Sequence, residues 1–439
     1  MSDQTAGPAP APLAPAYRRY ALGVLLAIYT LNFLDRQIVT ILAEPIRNDL
    51  GLKDWQLGMM TGFAFALLYT VMGIPIARYA ERANRPFIIA TATAVWSLFT
   101  VFCGMATNFV QLILARVGVG IGEAGCTPPA HSLISDYVPK EKRASAMAFY
   151  HLGTPLGSLL GLVMGGLAAD LWGWRTAFLI AGVPGIVMAV VAFTTLKEPR
   201  RDLPRVTASG PSLADALREL AAKRTFWCLA VAAALIAFNG YGSAAFIGSF
   251  FFRNHAGELT ELAASIGLQP IGFLGLVLGL SGGIAGMFGT WFGGWIADWL
   301  GREDLRDHMV VPAVAGLAAI PIYVAGLLLD SAVAAIVVLT IPTILASLWY
   351  GPVYSSVQGL VRPQTRATAS AILLFIINLI GLGLGPLGIG MLSDVLAGPY
   401  GMGAGEGIRW SLIIFSLLGL FAAALFWIAR RTIREETVG

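Results

Sequence analysis

Twelve apolar stretches, each long enough to cross a bilayer as a helix, leave this chain almost no other way to fold. Bounded by charge or by Pro and Gly, they run over roughly 20–43, 55–78, 86–107, 109–137, 143–170 and 174–196. The second set runs over 225–252, 270–297, 308–329, 332–360, 367–396 and 408–430. A hydrocarbon core of about 30 Å takes about 20 residues of helix, and a backbone inside it has to satisfy its polar groups within the segment. Charged residues are only 12% of the 439, against about 25% in soluble domains. No soluble core is needed, and the net charge of +4 reflects basic loops on one membrane face, not a nucleic-acid partner.

The placement of Lys and Arg sets the topology. Of the 29, Arg36 and Arg116 fall inside spans, and Arg47, Lys53, Arg175, Arg253 and Arg409 fall on one face. The remaining 22 fall on the other face, with both termini, which makes that face cytoplasmic. The expected layout is a disordered cytoplasmic tail over 1–19, a bundle over 20–196, a linker over 197–224, a second bundle over 225–431 and a tail over 432–439. The tail has no signal-peptide core. Cys103, Cys126 and Cys228 all lie in spans and imply neither a disulfide framework nor a metal site. In the linker, Pro204, Ser209, Gly210 and Pro211 precede an amphipathic turn over 212–220 that is expected to lie along the inner surface. It is too short for a nucleotide domain, and no phosphate-cradling loop ends in Lys-Ser or Lys-Thr.

The halves repeat each other. After span 2 the chain reads Ala77-Arg78-Tyr79-Ala80-Glu81-Arg82-Ala83-Asn84-Arg85, and after span 8, Gly294-Trp295-Ile296-Ala297-Asp298-Trp299-Leu300-Gly301-Arg302. Between spans 4 and 5 stands Val138-Pro139-Lys140-Glu141-Lys142-Arg143, and between spans 10 and 11, Val361-Arg362-Pro363-Gln364-Thr365-Arg366. The fold class is therefore an all-α membrane protein, twelve transmembrane helices in two pseudo-symmetric six-helix bundles. Such repeats place a substrate site between the halves near mid-membrane.

These loops resemble those of the major facilitator superfamily, although Ala77, Glu81 and Asn84 replace Gly, Asp and Gly in the first copy. The Asn32-Phe33-Leu34-Asp35-Arg36 stretch of span 1, with Arg116-Val-Gly-Val-Gly-Ile-Gly-Glu123-Ala-Gly in span 4, is similar to the Spinster-like branch. That resemblance implies a bacterial inner-membrane transporter of lysophospholipid or sphingolipid type, working as a monomer among membrane lipids, with protons as the coupling ion and no other cofactor. It also implies a cavity lined from spans 1, 4, 7 and 10, by Phe33, Thr127, Phe238, Asn239, Tyr241, Trp349, Tyr350, Tyr354 and Gln358. Such an apolar, aromatic wall suits an amphiphile with one charged end better than a sugar.

A charged residue deep in a span costs about 2.5–3.5 kcal/mol on insertion scales, so each needs a partner or a task. Asp35 and Arg36 are adjacent and point about 100° apart on a helix, so they turn to other spans. Arg116 and Glu123, seven apart in span 4, share one face. Arg116 is expected level with Asp35, and Glu123 deeper. The four read as a proton-sensitive network; the alternative is a fixed set of ion pairs tying spans 1 and 4 together. Glu81, Arg82, Arg85, Asp298 and Arg302 read as a cytoplasmic gate, against ordinary topology-setting charge. Arg143 and Arg366, each opening a span, join that set as anchors. Gly153, Gly157, Gly161 and Gly165 in span 5 form a close-packing stripe. It resembles the glycine-rich signature of antiporters, with Pro155 out of register. Gly118, Gly120 and Gly122 thin span 4 beside its charges, as a sliding or water-admitting helix requires. His131 and His151 read as packing residues, since no His-x3-His or Ser-His-Asp arrangement accompanies them.

The expected function is a proton-coupled secondary transporter of lipid-like molecules by rocking of the halves. The rivals are a drug or small organic-anion carrier, an intramembrane lipid enzyme and a passive channel or scramblase. The enzyme lacks a nucleophile paired with a base.

Overall fold

The computed structural model describes residues 14–80, 83–139, 142–199, 213–300, 304–362 and 365–438. Among them, 11 helices are long and apolar enough to cross a membrane. Spans 1 to 4 are Pro15–Leu50, Asp54–Ala80, Arg85–Met105 and Phe109–Tyr137. The next helix, Ser145–Thr195, has 51 residues, about 76 Å at 1.5 Å each and more than twice a hydrocarbon core. It divides at Gly173, whose φ of 82° is open to a residue without Cβ, into spans 5 and 6. Spans 7 to 12 are Arg224–Asn254, Pro270–Ile296, Arg306–Leu328, Ala332–Gly359, Thr368–Ala397 and Gly403–Glu436.

Small residues set how closely the spans pass. A Cβ on Gly157 or Gly161 would lie 2.4 Å from the Thr30 carbonyl or 2.6 Å from that of Leu34, so the stripe on span 5 presses on the backbone of span 1. The thin stretch of span 4 is filled by its neighbours: Phe99 against Gly118, the Phe65 backbone against Gly120 and Trp96 against Gly122. It is a packing face, a correction to the expectation of a sliding or water-admitting one. Span 4 breaks after Ala124 and restarts at Thr127, where Pro128 and Pro129 cannot donate to the preceding turn.

The two halves meet where span 5 crosses span 8 and span 2 crosses span 11. Added Cβ atoms along span 8 chart how the first seam opens. Gly275 would meet the Leu162 carbonyl at 2.5 Å, Gly279 meets Val163 at 2.8 Å, Gly283 meets Leu159 only at 3.4 Å, and Gly286 meets nothing within 4 Å. Along the other seam the Gly390 position lies 2.3 Å from the Asp54 carbonyl, Gly62 lies 2.5 Å from that of Leu382, and Gly73 is clear. The halves are in contact at the end away from the linker, the distal end, and part toward the linker end. Spans 2 and 11 both widen at this seam into π-helical turns, Met59–Phe63 and Ile377–Leu384, a local loosening common at functional sites.

Of the linker, residues 200–212 lie outside the described residues. The amphipathic turn is a helix, Leu213–Ala221, and it docks on the second bundle. Leu220 enters that core, and Glu219 accepts from the Arg362 backbone N–H (3.1 Å) and the Thr365 hydroxyl (2.8 Å). Burial pushes the Glu219 carboxyl up, but the bonds from Thr365 and Arg362 outweigh it and hold the group below the usual carboxylate range.

Candidate functional site

Span 1 is unbroken through Asp35 and Arg36, so their side chains leave the helix in different directions. Asp35 turns to spans 3 and 4. The Thr100 hydroxyl lies 2.7 Å from Asp35 Oδ1 and 3.0 Å from the Trp96 carbonyl. Having one proton, Thr100 can serve only one of these acceptors. Arg116 Nη1 is 3.4 Å from Asp35 Oδ2, and its Nε is 3.4 Å from the Met60 carbonyl; both contacts are long for charge-assisted bonds. Arg36 instead donates from Nε to Glu123 Oε2 at 2.6 Å. Its guanidinium faces the rings of Tyr69, Phe33 and Phe65 at 4.5, 4.9 and 5.0 Å, a cation–π cage. One pair is tight and the other loose.

The four charges sum to zero in a nearly dry site. Arg36 keeps 15% of its side chain exposed, while Glu123, Arg116 and Asp35 keep 0–3%. Glu123 Oε1 has no hydrogen-bond partner in the protein. A guanidinium holds its proton at any ordinary pH, so only the two carboxylates can take up or lose one. Protonating Glu123 would strip Arg36 of its strongest contact and leave a positive charge in want of an anion.

Beside this cluster lies a cavity of ≈ 430 Å³ between spans 1, 5, 7, 8, 9, 10 and 12. Asn239, Tyr241, Trp349 and Tyr350 are on its wall, with Gln37, Thr40, Tyr323 and many aliphatic groups. The other residues expected on the wall do not line this cavity. Phe33 is taken up by Tyr29 and the Arg36 cage. Phe238 packs on Phe415, and Thr127 restarts span 4. Tyr354 stacks parallel to Tyr350, ring centroids 6.5 Å apart. Gln358 is exposed, its carbonyl accepting from Arg366. Helix rotation decides these placements, and span 10 is interrupted between Leu345 and Tyr350.

Of the expected gate, Glu81, Arg82 and Arg302 lie outside the described residues, and Asp298 is placed only as part of the helix Pro270–Leu300. Arg85 bonds Asp136 of the first bundle at 2.6 Å, and also Glu198 at the start of the linker. Arg143 bonds the Val138 carbonyl in the loop before it, and Arg366 bonds the Gln358 carbonyl in the last turn of span 10. None of these three reaches the other half.

Among the described residues, every hydrogen bond and ion pair between the halves is at the distal end. Arg253 of span 7 is held by Glu44 of span 1 (2.7 Å) and by both oxygens of Asp54 of span 2 (2.7 Å each). Asp394 of span 11 accepts from the backbone N–H groups of Asp54 (3.1 Å) and Trp55 (2.8 Å). It thereby caps the start of a helix in the opposite bundle. Ser393 adds a 2.7 Å bond to Asp54, and Asp170 accepts from the Gln269 N–H. This lock was not anticipated. Its signal was Arg253 itself, a base on the face where bases are scarce.

Residues 25–386 match the Major Facilitator Superfamily. An MFS-type efflux pump of Mycolicibacterium smegmatis is 32% identical, over 95% of this chain and 94% of that protein. Protein spinster of Drosophila melanogaster is 30% identical over 42% of this chain, which spans 30% of that longer protein. A solved bacterial homologue of the human lysosomal transporter Spinster, inward-facing and unoccupied, is 34% identical, covers 97% of this chain and 100% of its own, and has a TM-score of 0.87.

Proposed function

The chain belongs to the major facilitator superfamily of transporters, as a multi-pass integral membrane protein of Spinster-like fold, and from that premise we propose proton-coupled transport of an amphipathic, lipid-like molecule with an anionic headgroup. The observation that carries this reading is the four-charge cluster buried beside a largely apolar cavity. A proton on Glu123 frees Arg36, the most exposed member of the cluster, for the headgroup. The hydrocarbon part takes the ≈ 430 Å³ cavity. When the headgroup leaves, Arg36 recaptures Glu123 and the proton is expelled. Proton and headgroup therefore favour each other's binding, because protonated Glu123 leaves Arg36 in want of an anion, which is the linkage that a secondary transporter needs.

Basic residues crowd the linker end, so that end faces the cytoplasm of a bacterial inner membrane. The conformation described, pinned distally and parted at the linker end, is then inward-facing, like that of the solved Spinster homologue. Protons are the coupling ion, no other cofactor takes part, and a monomer suffices. A second reading, a drug or small organic-anion carrier, is favoured by the full-length likeness to the M. smegmatis efflux pump.

The test is purified protein in liposomes under an imposed pH gradient, with labelled anionic lysophospholipids set against drug-like cations. Lysophospholipid flux that accelerates with the gradient is expected. Asp35→Asn and Glu123→Gln should each slow it about tenfold or more, about 1.4 kcal/mol of barrier. If both variants keep full pH-driven transport, the proton-coupling reading is lost; cation flux alone would select the drug carrier.

A further inference from the structure

Glu123 and Asn32 are fully buried, at 0% and 1% exposure, yet Glu123 Oε1 and both polar atoms of the Asn32 side chain have no hydrogen-bond partner in the protein. A buried polar atom left unpaired by the protein is costly and is ordinarily satisfied by water. The same is true of His131 Nε2. Asn32 stands one turn from Arg36 toward the linker end, and Tyr29 almost a turn further. His131 stands eight residues beyond Glu123 on span 4, past the break at Gly125 and Cys126, in the same direction.

Tyr29, Tyr150, His131 and His151 converge in the wedge between spans 1, 4 and 5. The Tyr29 ring stacks on Tyr150 at 4.3 Å, and His131 meets Tyr150 at 5.4 Å and His151 at 5.1 Å. Tyr29 also meets His151 edge-on at 5.6 Å. His151 is exposed, on the side where the halves part. The titratable groups around the two imidazoles are Tyr29 from span 1, Cys126 at the break in span 4 and Tyr150 from span 5. From span 2, Tyr69 is turned to Arg36. From span 3, Arg85 is held by Ser132 and Asp136, one and five residues beyond His131. Among the described residues no ion pair engages either imidazole, so both are free to pass a proton in at one nitrogen and out at the other.

We propose that Asn32, His131 and His151, bridged by water, form a proton relay between Glu123 and the open space at the linker end. The inference rests on Glu123 being the proton-binding carboxylate. Only O–H and N–H bonds are made and broken along it. It explains how a carboxylate at 0% exposure exchanges its proton while the packing of spans 1 and 5 stays shut.

The test compares the parent with the double variants His131→Phe/His151→Phe and His131→Gln/His151→Gln in liposomes. Two rates are read with a fluorescent anionic lysophospholipid: flux driven by a pH gradient, and counterflow exchange, which needs no net proton movement. Both doubles should lose about tenfold of driven flux, about 1.4 kcal/mol of barrier, and of the proton movement reported by an internal pH dye, while counterflow stays within about twofold. Driven flux at the parent's level in both doubles overturns the relay. Loss of counterflow in step with driven flux assigns the pair to packing and overturns it equally. Glu123→Gln run alongside separates the two ideas: if it keeps pH-driven flux, the coupling reading itself fails, whereas if it loses that flux and the histidine doubles do not, only the relay fails.

Discussion

Two buried ionic clusters in this protein use the same side chains for opposite mechanical ends. At mid-membrane, Asp35, Arg36, Arg116 and Glu123 all belong to the first bundle, so rocking of the halves carries them along intact. At the distal end, Arg253 belongs to one half and its partners Glu44 and Asp54 to the other, so no rocking motion that parts this end can spare them. Both clusters are nearly dry, with side chains at 15% exposure or less in the first and 7% or less in these three of the second. Burial alone therefore does not tell a chemical switch from a latch. What separates them is which rigid body each charge rides on.

The sharpest way to break that comparison is to remove Arg253. Arg253→Ala leaves Glu44 and Asp54 buried with only Arg47, a cation of their own half, at 3.2 and 3.3 Å, and losing one partner of a buried pair costs about 3–5 kcal/mol. The cost falls only on the distally closed state, so the balance between conformations should move by about 100-fold or more. Spin labels at Asn48 and Ser265, both exposed at the distal end, should report a longer distance, and its pH dependence should persist because the mid-membrane cluster is untouched. A distance distribution identical to the parent's would show that the seam glycines, and not the ions, hold this end.

How much of this was legible in the sequence follows from contrast. Asp35, Arg36, Arg116 and Glu123 are charges inside apolar runs, and that mismatch marks them without any structure. Helical spacing even forbade the Asp35–Arg36 pair, and the structure sends each to a different partner. Thr100, Phe65 and Tyr69, which hold those charges, are neutral residues in hydrophobic helices and offer no contrast. Glu44, Asp54 and Asp394 lie at span ends, where charge is ordinary. The cavity wall was only partly readable, because rotation about a helix axis is set by the neighbours. Breaks such as the one before Tyr350 reset that rotation midway along a span. The boundary between spans 5 and 6, expected between residues 170 and 174, falls at Gly173.

A smaller effect separates the cap from the ion pair at the distal lock. Asp394 satisfies two N–H groups at the start of span 2 only while the halves touch there. Asp394→Ala should cost the closed state about 1 kcal/mol, the usual worth of an N-cap, and shift the same distance distribution about fivefold. Asp394→Asn keeps a carbonyl acceptor and should shift it less. If Ala and Asn behave alike, charge matters at this position and capping does not.

The smallest effect is expected where an ionic contact is neither buried at mid-membrane nor shared between halves. Glu219 ties the linker helix to Arg362 and Thr365, all on the second bundle, at the end where the halves have parted. Its carboxyl is held below the usual range by those donors, against a burial that pushes it up. A depressed folded value means that the docking it supports is full above the unfolded pKa and is lost as pH falls through the folded one. Hydrogen exchange across residues 213–221 should therefore speed up in acid and in Glu219→Gln at neutral pH. Transport by that variant should remain within about twofold of the parent, as for a solvent-accessible pair. A larger loss would mean that the linker helix moves with the transport cycle, and the division between switch and latch would need a third member that senses the linker.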